Sequence, residues 1–334
     1  MLIAAQPPAC DRGSLKQWAY HLQSLLMPLR ILPPALKPST TIGIVAPASN
    51  ISREALAEGC SRLQQLGYKV AYSEAIFAQE LYFAGMHQVR ADDLNRMFRR
   101  DDIGAVLCAR GGYGTVHLLP LLDFEAIRAN PKPFIGYSDI TTLLTAIHER
   151  TGLVTFHGPM ATKDFTAADG VDLASWNSAL SGASEWELDG GNAEVLVAGD
   201  AEGVLFGGCL SLLAASLGTP YEIDTRDKLL FLEDINAKPF QIDRMLMQLY
   251  LAGKFATVRG VIFGEMLDCV QSPEQPYTLQ QVIHRTIGQL GFPIVYGVRS
   301  GHVSRQNITL PIGVRASLHT GATARIKILE PATR

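Results

Sequence analysis

Ser138 lies in Lys132-Pro-Phe-Ile-Gly-Tyr-Ser-Asp-Ile-Thr-Thr-Leu-Leu144, where a short apolar run through Phe134 and Ile135 reaches Gly136 and a helical pattern takes over to about Arg150. A serine on a sharp strand-to-helix turn is pushed towards a cleft, and the helix N-terminus offers unpaired N–H groups to negative charge. That is the setting of a nucleophile. It is equally the setting of an ordinary N-cap, for which Ser and Asp are favoured, so the segment alone leaves both readings open.

A serine nucleophile needs a base and a group to orient the base. Of eight histidines, His157 (in Phe-His-Gly-Pro, after an apolar strand) and His302 (in Tyr-Gly-Val-Arg-Ser-Gly-His302, after the strand Ile294 to Tyr296) are the best placed. His21 lies near the N-terminus, His148 and His284 fall within helical patterns, His87 opens a polar helix, and His117 and His319 have no distinctive setting. For the acid, Leu229-Leu-Phe-Leu-Glu233-Asp234 brings a carboxylate to the end of an apolar strand, where it can accept an imidazole Nδ1–H. Composition does not choose between Glu233 and Asp234. Arg110-Gly-Gly-Tyr-Gly114 has neither the Lys-Ser/Thr of a P-loop nor the spacing of GxGxxG. Its glycines suit close backbone approach to a carbonyl instead. N–H groups of Gly112 and Asp139 could then form an oxyanion hole, at about 3–4 kcal/mol per donor.

The elements that must position these residues are legible from residue 41 onwards. Strands are expected at Thr41 to Ala46, Tyr68 to Tyr72, Ile103 to Cys108 and Phe134 to Tyr137. Helices are expected after Ser52, around Val89 to Phe98, and over Ile140 to Arg150. Such alternation implies a parallel sheet with helices on both faces, binding ligands beyond its C-terminal strand ends. Residues 166–195, rich in Ala, Asp, Gly and Ser, read as a linker or irregular region. A second unit over 196–334 has strands at Val204 to Gly208, Leu229 to Leu232, Val258 to Phe263, Ile308 to Leu310 and Ala324 to Leu329, with helices at Leu210 to Leu217 and Phe240 to Ala252. The expected organisation is an extension over 1–39, an α/β nucleophile domain over 40–165, the linker, and a C-terminal domain of mixed α+β type. In the extension, Trp18, Leu22, Leu25, Leu26 and Leu29 have helical spacing, and Met27 is a second possible start.

With 334 residues, 47% hydrophobic and 18% charged, the chain has an ordinary soluble composition, and its formal net charge of −3 carries no basic stripe for nucleic acid. No apolar run nears the ~18 residues of a membrane span, and no secretory signal pattern opens the chain. Five dispersed cysteines give neither a disulfide framework nor a zinc site. Cytoplasmic location, no metal, no cofactor, no nucleic-acid partner and no membrane partner are the resulting expectations.

Together, Ile42-Gly-Ile-Val-Ala-Pro-Ala-Ser49, Ala109-Arg-Gly-Gly-Tyr-Gly114, Ile135-Gly-Tyr-Ser-Asp-Ile-Thr141, His157-Gly-Pro159, Phe231-Leu-Glu-Asp-Ile235 and Gly297 to His302 resemble the LD-carboxypeptidase family of serine peptidases. That family includes murein tetrapeptide carboxypeptidases and microcin C immunity peptidases. The resemblance covers about residues 40 to 330. It implies an α/β fold: an N-terminal flavodoxin-like parallel sheet domain and a C-terminal mixed α+β domain of the swivelling β/β/α type. It further implies a Ser138–Glu233–His302 triad assembled between the domains, with His157 structural or pocket-lining. Substrate contacts are then expected from Arg110, Tyr137 and Arg299. The implied reaction is hydrolysis of the L,D bond before the terminal D-alanine of a muropeptide tetrapeptide or similar short peptide, in cell-wall recycling, by a homodimer. The sequence Gly136-Tyr-Ser-Asp-Ile140 lacks the second glycine of GxSxG, which weakens an ordinary α/β-hydrolase reading. Two rivals remain. A microcin-immunity-like peptidase would cut peptidyl or aminoacyl nucleotides, with Trp176 and Trp186 available for a base. A non-catalytic ligand-binding protein on a flavodoxin-like scaffold would need no triad.

Overall fold

The computed structural model describes residues 29–188, 193–321 and 323–334. The helix expected near Trp18 to Leu26 lies outside the described residues.

The first sheet is built from β1 (Thr41–Val45), β2 (Lys69–Ala71), β3 (Ala105–Cys108), β4 (Phe134–Gly136) and β5 (Thr155–His157), in the order β2-β1-β3-β4-β5, all parallel. This is the flavodoxin-like order. Both faces are covered, so the central strands β1, β3 and β4 read as near-continuous apolar runs, while the edge strand β2 carries the exposed Lys69. Ala105 and Leu107 pack on one side with Leu56, Cys60 and Leu63 of the helix Arg53–Gln65. Val106 and Cys108 pack on the other with Leu94, Met97 and Phe98 of the helix His87–Arg99 and Leu143, Leu144 and Ile147 of the helix Thr141–Thr151. Ser52 caps the first of these helices, its hydroxyl accepting from the N–H of Ala55, an arrangement worth about 1 kcal/mol.

The second sheet contains β6 (Trp186–Leu188), β7 (Glu194–Val197), β8 (Asp200–Cys209), β9 (Lys228–Glu233), β10 (Gly260–Gly264), β11 (Ile294–Val298), β13 (Val314–Thr320) and β14 (Ala324–Ile328). Their order is β6-β14-β13-β8-β9-β10-β11-β7, with β8 to β11 parallel and the flanking strands antiparallel. Helices Leu210–Ser216, Pro239–Leu251 and Leu279–Ile287 cover one face through Leu213, Leu246 and Ile283. The other face, with Leu205, Leu229 and Phe231, shares a continuous core with Ile135 and Phe156 of the first sheet.

Two expectations are corrected. The described part of 166–195 is not irregular. It carries the helix Leu173–Leu180, capped by Asp172 and anchored by the buried Trp176, and the edge strand β6 falls there while the edge strand β7 starts at its end. Small residues mask the helix, and three- or four-residue strands are defined by partners remote in sequence. One strand of 196–334 joins the first sheet. The strand expected at Ile308 to Leu310 is β12 (Leu310–Ile312), and it pairs antiparallel with β5, Leu310 opposite His157. It covers a β-edge that would otherwise be unpaired. Residues 31–36 of the expected extension are also stitched in: Ile31 bridges to Leu153, and the N–H groups of Ala35 and Leu36 donate to the carbonyls of Arg334 and Leu180. No helix among the described residues is long and apolar enough to cross a membrane.

Candidate active site

Ser138 follows β4 through Gly136 and the extended Tyr137, then opens a 3-10 turn, Ser138–Ile140, that feeds the helix Thr141–Thr151. Its φ is +63°, left-handed for a residue with a Cβ, a conformation that costs about 1–2 kcal/mol. Neither helical start has a side-chain cap, so the N-cap alternative fails for Ser138. Asp139 is spent elsewhere: its Oδ2 accepts from the N–H of Thr115 and its carbonyl from the Thr115 hydroxyl. Gly111 faces Ser138 so closely that a Cβ there would lie 2.7 Å from the serine Cβ and 2.9 Å from Oγ. The strained turn thus presents Ser138 to a cavity of about 600 Å³.

Glu233 ends β9 and is fully buried. Its Oε2 accepts from His302 twice, from the backbone N–H at 3.0 Å and from Nδ1 at 2.7 Å. A carboxylate can only accept, so Nδ1 of His302 carries the hydrogen and Nε2 keeps its lone pair, the tautomer a general base requires. Burial by itself would raise the Glu233 carboxyl, but the imidazoles of His302 and His157 outweigh it and hold the group well below the usual carboxylate range. The chain folds closely around this carboxylate. At Gly301, with φ +92°, a Cβ would lie 2.6 Å from the Glu233 carboxyl carbon, and at Gly264 one would lie 2.7 Å from the Glu233 Cβ. Asp234, left open from the sequence, is occupied structurally: Oδ2 accepts from the N–H of Ser211 and Oδ1 from that of Ile235.

His302 and Ser138 line the same cavity. It opens beyond the C-terminal ends of β1, β3, β4 and β5, and Ile235 and His302 of the second half close it. Of the remaining expected residues, Arg110, Gly112 and Tyr137 line it. Tyr137 packs its ring edge-on against His302 at 5.2 Å, and burial, then Asp164 and Glu233, pushes its hydroxyl well up. Arg110 donates to the Asn50 carbonyl at 3.2 Å. Asp139 contributes only its backbone next to Ser138. Arg299 is not among the lining residues. Its guanidinium donates to Gln306 Oε1 at 2.7 Å, because the loop from Val298 turns inward at Gly301 and carries His302, not Arg299, to the cavity. Lys163, not singled out from the sequence, is a second cation on the wall, and among the described residues no acidic side chain lines it. Its position just past β5, at a C-terminal strand end, was the available signal. Asn307 was also missed. It bonds Gly301 through its Oδ1 and Nδ2, and donates to the buried Asp164, tying the histidine loop to the first domain.

Trp176 is buried with its indole N–H on Tyr68, and neither it nor Trp186 lines the cavity.

Residues 42–158 match the LD-carboxypeptidase N-terminal domain and residues 202–318 the LD-carboxypeptidase C-terminal domain. A probable murein peptide carboxypeptidase of Bacillus subtilis is 44% identical over 296 residues, spanning 87% of this chain and 92% of that protein. The chain belongs to the LD-carboxypeptidase family. Among solved structures, a MccF-like protein from Bacillus anthracis superposes with a TM-score of 0.82 at 28% identity, covering 90% of this chain and 99% of that one. A muramoyltetrapeptide carboxypeptidase from Oxalobacter formigenes gives 0.79 at 29%, covering 87% and 99%. The two LD-carboxypeptidase domains divide the site: Ser138 lies within the first matched segment, Glu233 and His302 within the second.

Proposed function

We propose that this chain is a serine LD-carboxypeptidase that hydrolyses the L,D-peptide bond before the terminal D-alanine of murein tetrapeptides, with Ser138, Glu233 and His302 as its triad. The observation that carries the reading is the 2.7 Å contact of His302 Nδ1 with Glu233, on the cavity that also receives Ser138. Oriented by Glu233, His302 Nε2 takes the Ser138 proton as Oγ attacks the scissile carbonyl. N–H groups of Gly112 and Asp139 receive the oxyanion. His302 then protonates the leaving D-alanine amine, and a water activated by the same imidazole hydrolyses the acyl-enzyme. Arg110 and Lys163 give the wall a positive character suited to the free carboxylate of the leaving residue. The reading carries with it a cytoplasmic homodimer acting on recycled wall fragments.

Incubation with a muropeptide tetrapeptide and with an aminoacyl-adenylate analogue, products read by mass spectrometry, tests it. Free D-alanine and a tripeptide are expected, and Ser138→Ala, with its fold verified, should lose nearly all turnover. Cleavage of the adenylate analogue alone would move the substrate to the nucleotide class. Undiminished turnover in Ser138→Ala would remove the triad.

A further inference from the structure

Asn307 is fully buried beneath the loop that carries His302. Its main chain is pinned from outside that loop. Its N–H donates to the Gly170 carbonyl at 2.8 Å, and its carbonyl accepts from the N–H of Asp172 at 3.1 Å. The N–H of the preceding Gln306 donates to the Asp169 carbonyl at 2.7 Å. The neck of the loop is closed by Ile308 N–H on the Arg299 carbonyl at 2.7 Å and by the Ser300 hydroxyl on the Ile308 carbonyl at 2.8 Å. From this fixed base the Asn307 side chain reaches across the loop and grips one residue at both ends. Its Oδ1 accepts from the Gly301 N–H at 3.0 Å, and its Nδ2 donates to the Gly301 carbonyl at 3.1 Å. The second Nδ2 hydrogen goes to Asp164 Oδ1, also at 3.1 Å. These partners fix the amide's orientation. A backbone N–H can only donate and a carboxylate only accept, so a flipped amide would set donor against donor and oxygen against oxygen.

Gly301 has φ +92° and immediately precedes His302, whose backbone N–H and Nδ1 both go to Glu233 Oε2. Glycine is the least restrained residue of the chain, so the direction in which His302 leaves the loop depends on what holds Gly301. Asp164, in the nucleophile domain, is itself buried and bound: Oδ2 accepts from the N–H of Met160 at 2.8 Å, and the Tyr137 hydroxyl lies 3.5 Å from Oδ1. Met160 and Tyr137 line the cavity beside Ser138. We propose that Asn307 and Asp164 are a positioning pair of this site: Asp164 orients the Asn307 amide, and that amide holds both ends of Gly301 so that His302 meets Glu233 and Ser138 together. The role rests on the triad reading above. The pair acts through the loop, since neither residue lines the cavity. It registers the base, carried by the second domain, against the nucleophile carried by the first.

The test uses Asn307→Leu, which keeps the volume and removes every polar contact of the amide. On a muropeptide tetrapeptide, kcat per folded molecule should fall roughly 10- to 100-fold, as misplacing a reacting group by about 1 Å does, with KM little changed. A looser loop weakens the grip of Glu233 on His302 and so disfavours the imidazolium. The acid limb of kcat/KM should therefore move down by about half a pH unit. Asn307→Leu changes no charge, and the charged and titratable groups around the His302 ring are otherwise kept: Glu233 in contact, Tyr137 edge-on, His157 behind Glu233, and Arg110 and Lys163 on the cavity wall. A swap adds a rescue. Asn307→Asp sets two carboxylates against each other and should lose at least as much rate. Adding Asp164→Asn returns a donor to the contact and should recover about tenfold of that loss. A purely structural role would lower the melting temperature and leave kcat per folded molecule and the limb where they are. That result, or losses that merely add in the double variant, overturns the proposal. If Leu prevents folding, the milder Asp164→Asn carries the test: kcat should fall about 3- to 10-fold at constant KM, and parental kcat contradicts the pair. Failure here leaves Ser138→Ala inactive, whereas failure of the triad reading leaves it active, so the two are told apart.

Discussion

Replacing Glu233 with Gln removes one charge at nearly constant shape, and the expected loss can be worked from the geometry. When Ser138 gives up its proton, His302 becomes an imidazolium whose Nδ1 is 2.7 Å from Glu233 Oε2. An ion pair with charge centres about 4 Å apart is worth about 4 kcal/mol at an effective dielectric constant of about 20. At about 1.4 kcal/mol per factor of ten, that is about a thousandfold in kcat. The amide also has to choose an orientation. With its oxygen towards the His302 N–H groups, the geometry survives and only the charge is lost. With its NH2 there, it meets the backbone donor of His302 and forces the hydrogen onto Nε2, which disables the base. Either way, kcat should fall with KM nearly constant, measured as D-alanine release at saturating muropeptide. A kcat within about tenfold of the parent, or a loss confined to KM, would refute the reasoning. Stability gives an independent reading. The folded-state carboxyl is held below its unfolded value of 4.5, so its contribution is present above about that pH and is lost as the pH falls. Between about pH 5 and about pH 3, the Gln variant should therefore lose less melting temperature than the parent.

Further outcomes follow from the same geometry. Gly111→Ala puts a methyl 2.7 Å from the Ser138 Cβ, so the nucleophile must shift; kcat should fall about 100-fold in steady-state assays, with a stability loss of about 1–3 kcal/mol in urea titrations. Parental kcat would mean that Ser138 is not the attacking group. Charge reversal at Lys163 or Arg110 should raise KM about 10-fold or more for a substrate with a free C-terminal carboxylate and erase its advantage over the C-terminal amide, the worth of one charge-assisted hydrogen bond. An intact preference would remove both cations from carboxylate recognition. Burial pushes Glu149 up to about 7, above its unfolded 4.5, so its contribution is present below about pH 4.5 and is lost as pH rises through about 7. Glu149→Gln should flatten that decline in urea midpoints, and an unchanged pH profile would contradict the assignment.

The order of strands and helices in the first domain was readable because β1, β3 and β4 are apolar runs that reach Gly or Pro within a few residues and the helices carry apolar stripes, both local signals. Ser138 was readable as a candidate for the same reason: the break from strand to helix is written in Gly136-Tyr-Ser-Asp139 itself. Glu233 and His302 could be placed at strand ends, yet nothing local chose Glu233 over Asp234 or His302 over His157. Those choices depend on which atoms meet across the domains. Asp234 is taken by the N–H groups of Ser211 and Ile235, and the missing Cβ at Gly301 lets the histidine loop pass close to Glu233. The same holds for β6, β7 and β12, whose pairing partners lie far along the chain, and for Lys163 and Asn307, whose meaning comes from what they face. The sequence by itself determined the elements and the residue types available for chemistry, because propensity and periodicity act over a few residues. Only the tertiary structure decided which carboxylate, which imidazole and which cation share one cavity, because hydrogen bonds and desolvation act over a few ångströms of space regardless of separation along the chain.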